Sequence, residues 1–94
     1  MKYEKLSQFL AGYFNQDFAL DGEPDEIIKS FVEDVDRAYA LALAGEIDRL
    51  LEECIDEASL RTFWNSTHTA FDPTLVASPN LRTWLLHVKS LILA

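Results

Sequence analysis

The chain has 94 residues, of which 49% are hydrophobic and 12% aromatic, with only three glycines and three prolines. This composition predicts one folded domain over residues 1–94 and excludes a mainly disordered chain, and the length is too short for two separate cores. Sixteen acidic and eight basic residues give a net charge of −8, which argues against direct contact with DNA, RNA or anionic lipid and favours a cationic partner.

The charge is distributed unevenly along the chain. Residues 17–57 contain fourteen acidic and three basic residues, so one part of the surface should be strongly negative. The single cysteine, Cys54, excludes an internal disulfide and fits a reducing cytoplasm. No apolar run approaches the roughly 20 residues of a membrane-spanning helix, and the start does not resemble a secretory signal. We therefore expect a cytoplasmic protein without a membrane segment.

Apolar side chains recur at helical spacing at the start of the chain: Tyr3, Leu6, Leu10, Tyr13 and Phe14. This pattern predicts a first helix from Lys2 or Tyr3 to about Tyr13. We expect Gly12 to end this helix or to allow close packing. Phe14 and Phe18 should anchor the following corner in the core.

A second helix should begin at Pro24, because proline suits the first helical turn and the neighbouring Glu23, Asp25 and Glu26 complement the helix dipole. We expect a break between residues 33 and 36, although the apolar pattern also fits one continuous helix. Within residues 33–36, Asp34 or Asp36 could cap the next helix.

The third helix should run from about Arg37 to Cys54. Glu46, Arg49 and Glu53 have the spacing of a solvated row of ion pairs. Gly45 in the helix interior is expected to mark a close helix crossing.

Asp56 should cap a short fourth helix that ends between residues 63 and 65, followed by a loop to residue 79. The last helix should begin with Ser78 as its cap and Pro79 in its first turn. Its exposed face, with Trp84, Leu86 and Leu93, leaves self-association open. Because no stretch alternates with period two, the predicted class is all-α, a compact bundle of four to five helices.

The residues do not form a recognisable catalytic site. There is no glycine-rich phosphate loop, and His68 and His87 lack the spacing that places two metal ligands on one helical face. Cys54 lies on an apolar stripe and is interpreted as a buried structural thiol. We therefore predict that the protein is not an enzyme and that it binds neither a metal ion nor a cofactor. A small helical enzyme that uses Asp72 and His68 is kept as a minor alternative.

Three motifs resemble one family of bacterial contact-dependent growth inhibition immunity proteins, the CdiI type. The stretch from Gly12 to Phe18 is similar to the family's Gly-Tyr-Phe-His-Gln-Asp-Trp signature, with Asn15 at the histidine position and Phe18 at the tryptophan position. Residues 46–51 resemble its Glu-Ile-Asp-x-Leu-Leu run, and residues 81–85 resemble its closing Leu-Arg-x-Trp-Leu helix.

The resemblance implies a cytoplasmic immunity protein that binds the C-terminal toxin domain of a growth inhibition effector and neutralises it by stoichiometric occlusion. Such toxins are often nucleases with basic substrate channels, which an acidic protein would complement. Tyr13 is the expected aromatic anchor, and the expected acidic contacts are Asp17, Asp21, Glu23, Glu33, Asp34 and Asp36. The alternative is an acidic helical adaptor or antitoxin-like module that binds a basic nucleic-acid-binding protein.

Overall fold

The computed structural model describes residues 3–14, 23–67, 69, 71–76 and 79–94. These ranges contain six helices and no strand: α1 (Glu4–Tyr13), α2 (Pro24–Asp34), α3 (Arg37–Glu53), α4 (Glu57–Ser66), α5 (Pro73–Val76) and α6 (Leu81–Leu93). The predicted all-α class is confirmed. The added element is α5, a single turn inside the predicted loop between the fourth and last helices.

The boundaries of α2, α3 and α4 follow local capping chemistry. Val35 is extended, with φ −108° and ψ 161°, so that the break after α2 is real. The side chain of Asp36 then accepts the backbone N–H of Tyr39 at 2.8 Å. Asp56 accepts the N–H of Ser59 at the same distance and caps α4. Each carboxylate satisfies one of the backbone donors that a helix start leaves without an intrahelical acceptor.

The predicted start of the last helix was wrong by two residues. Asn80 is the N-cap of α6, and its side-chain oxygen accepts the N–H of Thr83 at 2.8 Å. Pro79 precedes the helix, and Ser78 lies outside the described residues. Asparagine and serine cap helices about equally well, so residue type alone does not favour Ser78 over Asn80.

The core is built around α6, which packs against α2, α3, α4 and α5. Trp84 on this helix is only 1% exposed. Its ring lies 5.5 Å from that of Phe14, 5.6 Å from Trp64 and 5.3 Å from Phe71, measured between centroids. The expectation that Trp84 lies on the exposed face was therefore wrong. Leu86 on the same helix is exposed, as predicted.

Glu46 is not part of a solvated ion-pair row, which corrects the prediction for α3. It is 6% exposed, and its carboxylate accepts the backbone N–H of Leu6 at 3.0 Å and that of Lys5 at 3.4 Å. Tyr3, the N-cap residue of α1, has a left-handed backbone and makes no capping bond with its side chain. The cap of α1 is thus supplied from α3, where it also complements the positive end of the helix dipole.

Other helix ends are satisfied across the bundle in the same manner. The Arg37 guanidinium at the start of α3 donates to the Ile92 carbonyl at the end of α6, at 3.3 Å. Arg82 at the start of α6 donates to carbonyls at the end of α3, including that of Cys54 at 2.7 Å. Glu57 of α4 accepts the first two N–H groups of α6. The antiparallel pair of α3 and α6 is therefore joined at both ends by arginines.

Gly45 and Cys54 differ from the sequence interpretation. A Cβ built on Gly45 would meet no atom within 4 Å, so no helix crosses closely there. Cys54 is half-buried at the C-cap of α3 instead of fully buried, although it packs against the core. In the described ranges, no helix combines the length and apolar character needed to cross a bilayer.

Replacing Glu46 should destabilise the bundle. In Glu46→Leu the N–H groups at the start of α1 lose their acceptor, and we expect a loss of about 2 kcal/mol in the free energy of unfolding, measured by urea titration. Glu46→Gln should lose less, because an amide oxygen still accepts. Glu52, an exposed residue of α3, provides the matched controls Glu52→Leu and Glu52→Gln. Equal stabilities of the two leucine variants would contradict this role of Glu46.

Gly45→Ala should stabilise the protein. Alanine favours an α-helix over glycine by about 1 kcal/mol, and the structure leaves room for its Cβ. The midpoints of thermal and of urea unfolding should both rise. The slope of the unfolding free energy against urea concentration should not change. A loss of stability would show that α3 has a closer neighbour at this position than the structure contains.

Candidate functional site

Five of the seven candidate binding residues lie in the described part of the chain: Tyr13, Glu23, Glu33, Asp34 and Asp36. The other two, Asp17 and Asp21, lie outside it. The described candidates occupy the end of α1, the two ends of α2 and the start of α3. The four acidic residues are exposed and Tyr13 is half-buried, so all five are accessible to a partner.

Tyr13 is held in place by the core on one side and by α2 on the other. Its ring centroid lies 5.2 Å from that of Phe31 in an edge-to-face arrangement and 5.9 Å from that of Phe9. Its hydroxyl donates to Asp34 Oδ2 at 3.0 Å. Burial raises the pKa of the Tyr13 hydroxyl above 10.0, and the hydrogen bond to Asp34 and the charge of that residue raise it further. Tyr13 is therefore a neutral, fixed side chain at neutral pH.

The acidic residues of α2 form a row beside this tyrosine. Glu23, Glu26, Ser30 and Asp34 recur at intervals of three and four residues, which places them on one helical face. Glu33 lies next to this face, three residues after Ser30. We call Glu23, Glu26, Glu33 and Asp34 the acidic row. An 11-residue helix is about 16 Å long, so the acidic row extends over about that length.

Few basic residues compensate the negative charge of α2 and its flanking residues. Residues 23–36 contain six acidic residues and one lysine, a net charge of −5.

Glu26 belongs to the acidic row but was interpreted from the sequence only as a partner of the helix dipole. Its spacing from Glu23 and Ser30 was the signal that could have identified it. Glu26 Oε1 also accepts the N–H of Glu23 at 3.3 Å. Asp36 lies beyond the row, where it caps α3.

A groove of about 310 Å³ lies between the last turn of α1 and the middle of α2. It is lined by Gly12, Tyr13, Ile27 and Ser30. Gly12 is inside α1, one residue before its end, and a Cβ built on it would meet no atom of another described element within 4 Å. The expectation that Gly12 allows close packing was therefore wrong. Sequence reasoning missed the groove because it is formed by two helices.

A second groove, of about 360 Å³, lies beside α4 and is lined by Arg61, Trp64, Asn65, Thr67, Thr69, Phe71 and Asp72. Asp72 accepts hydrogen bonds from the Thr74 hydroxyl at 2.6 Å and from Arg61 Nη1 at 3.1 Å. These bonds, that of Thr74 foremost, hold the pKa of Asp72 below its ordinary value of 3.8. A carboxylate held ionised in this way is poorly suited to exchange protons at neutral pH.

The partner proposed for Asp72 in a catalytic site, His68, lies outside the described residues. His87, the other histidine, contacts Asp25 through Nε2 at 2.9 Å and links α6 to α2. Within the described ranges, no three residues among His, Cys, Asp and Glu lie close enough to hold a metal ion. The acidic row and the groove beside Tyr13 are the candidate binding surface.

Comparisons with known proteins agree with the resemblance at the level of the family. A family model described as CdiI immunity protein matches residues 2–92. The chain is also similar to a chain of a solved structure, described as the crystal structure of the CdiA-CT/CdiI complex from Y. kristensenii 33638. The two are 29% identical, with a TM-score of 0.89 over 98% of this chain and 99% of that chain. No curated protein matches the sequence.

The hydrogen bonds of Asp72 predict a pH-dependent contribution to stability. Because folding lowers its pKa, the stabilisation should be complete above the ordinary value of 3.8 and should be lost as the pH falls through the lower pKa of the folded state. Asp72→Asn should therefore reduce the free energy of unfolding by about 1 kcal/mol at pH 7.

Urea titrations at pH 7, 4 and 3 measure this difference, which should shrink at the lowest pH. Glu33→Gln is the matched control, because Glu33 is exposed and no contact within the described residues stabilises its charge. A difference between wild type and Asp72→Asn that stays constant down to pH 3 would contradict the assignment.

Proposed function

The chain belongs to the CdiI immunity protein family, and we propose that it neutralises its cognate toxin domain by stoichiometric occlusion of the toxin's active site in the cytoplasm. Proteins of this family are inhibitors that bind toxins and are not enzymes, which removes the minor alternative that used Asp72 and His68. The family match also favours immunity over the adaptor alternative.

The observation that carries this proposal is the acidic row on α2. We infer that the toxin is a nuclease, whose substrate is a polyanion and whose channel is accordingly basic. Four exposed carboxylates over about 16 Å present a negative surface to such a channel. Complementary charge increases the association rate and disfavours partners of the wrong charge.

Tyr13 supplies the second element of the proposed interface. A rigid aromatic side chain loses little conformational entropy on binding, and tyrosine is enriched among the residues that dominate binding energy. Its contacts with Phe31 and Asp34 already hold it in one orientation. A stable complex buries on the order of 1,600 Å² in total, so the interface would extend from the acidic row and Tyr13 over neighbouring surface.

Calorimetric titration against the cognate toxin domain, at low and high salt, tests the proposal. We expect 1:1 binding that weakens as salt increases, because exposed charges are screened. Glu33→Lys should weaken binding at least about tenfold through local repulsion in the interface. Glu52→Lys changes the net charge equally on α3, at another exposed acidic residue, and should change affinity by less than about threefold.

Three results would alter the proposal. Absence of binding to a folded, active toxin would exclude the immunity assignment for that pair. Equal effects of Glu33→Lys and Glu52→Lys would show that only overall charge matters and would remove the acidic row from the interface. Toxin inhibition that substrate cannot relieve by competition, in steady-state kinetics, would exclude occlusion of the active site.

A further inference from the structure

The described part of the fold does not require a glycine at position 12. Gly12 lies in the last turn of α1 and is exposed. Its φ lies outside the left-handed range that favours glycine, and a Cβ at this position would meet no atom within 4 Å. Alanine would fit there and would favour the helix more strongly than glycine does. Neither the backbone conformation nor packing against the described residues therefore requires glycine at this position.

Gly12 lines the groove between α1 and α2 without adding a side chain to it. Gly12 is part of the wall of the groove of about 310 Å³ between α1 and α2. This volume is at the lower end of the range of about 300–1,000 Å³ that is typical of small-molecule sites, so one side chain of a protein partner is the better match. Because Gly12 lines the groove, we expect a side chain at this position to extend into or over it.

The lining of the groove suits the stem of a long basic side chain. Tyr13 and Ile27 provide apolar surface, along which the methylene groups of lysine or arginine can lie. Tyr13 cannot easily turn away, because its ring packs on Phe31 and its hydroxyl donates to Asp34. One wall of the groove is therefore already in place before a partner binds.

The charges around the groove select a cation. Ser30 in the groove lies on the same helical face as Glu26 and Asp34, one turn away on either side. Asp34 accepts one hydrogen bond from Tyr13 through Oδ2, and a carboxylate can accept about four. A cationic group that leaves the groove along this face would meet carboxylates in both directions.

We propose that the groove receives a single lysine or arginine side chain of the toxin, and that Gly12 lacks a side chain in order to admit it. The inference rests on the proposed function, since the occupant belongs to the toxin. It goes further in naming the chemical class of the occupant and the position on the immunity protein that controls its entry.

The two described glycines allow a matched experiment. Both lie in helices, and both leave open space for a Cβ. Gly45 lies in α3 next to Glu46, which bonds the start of α1. Gly12 lies near the other end of α1, about 10 Å along that helix from the bond to Glu46. Gly12→Gln should place a side chain in the groove, and Gly45→Gln should place the same side chain on a distant surface.

Both variants should fold with a thermal midpoint equal to or above that of the wild type. We expect Gly12→Gln to weaken toxin binding at least about tenfold and Gly45→Gln to change it by less than about twofold. If Gly12→Gln does not fold, Gly12→Ala, whose Cβ the structure accommodates, should bind measurably more weakly than Gly45→Ala. Lysine and arginine residues of the toxin are then changed to alanine one at a time. Alanine at one of these toxin positions should weaken binding to the wild-type immunity protein. The same change should not weaken binding to Gly12→Gln.

Each outcome separates this inference from the proposed function. Wild-type protein that fails to bind the toxin overturns both. Wild-type binding with unchanged affinity in Gly12→Gln overturns the inference and leaves the immunity function intact. A coupled toxin residue that is apolar or aromatic, found by extending the alanine scan, overturns the assignment of a cationic occupant.

Discussion

The buried carboxylate of Glu46 is the contact on which the position of α1 depends. The first turn of α1 lacks a cap of its own, because Tyr3 has a left-handed backbone and a side chain that makes no capping bond. Glu46 of α3 bonds the N–H groups of Lys5 and Leu6 instead. Since α1 carries Gly12 and Tyr13 at its other end, the geometry of the candidate site is set by a contact about two helical turns away from it.

The same principle joins the other helices. A bundle of this size has a small core, and helices can slide along apolar surfaces with little change in buried area. Polar bonds between a side chain and the end of another helix remove this freedom, because their geometry is directional. Arg82 bonds the end of α3, Arg37 bonds the end of α6 and Glu57 bonds the start of α6, and each of these bonds acts in this way. Two of the motifs that carry the family resemblance contain such residues, Glu46 and Arg82, and therefore reflect the scaffold.

The proposed interface uses surface that the scaffold presents but does not need. The exposed face of α2 carries the acidic row, and Gly12 lines the neighbouring groove. Tyr13 belongs to both parts of the molecule, because its ring completes the aromatic core while its edge lines the groove. An interface arranged in this way can change its surface residues without loss of the fold.

The sequence alone determined the class and the cap at Asp56, favoured the break between α2 and α3, and limited the cap of α3 to Asp34 or Asp36, because helical periodicity and capping depend on residues within a few positions of one another. Only the tertiary structure decided that Glu46 is buried, that Trp84 faces the core and that Gly12 lies in a groove. A periodic pattern shows which residues share a helical face. Which of those faces meets water, and which carboxylate finds a backbone donor on another helix, depends on how the helices pack together.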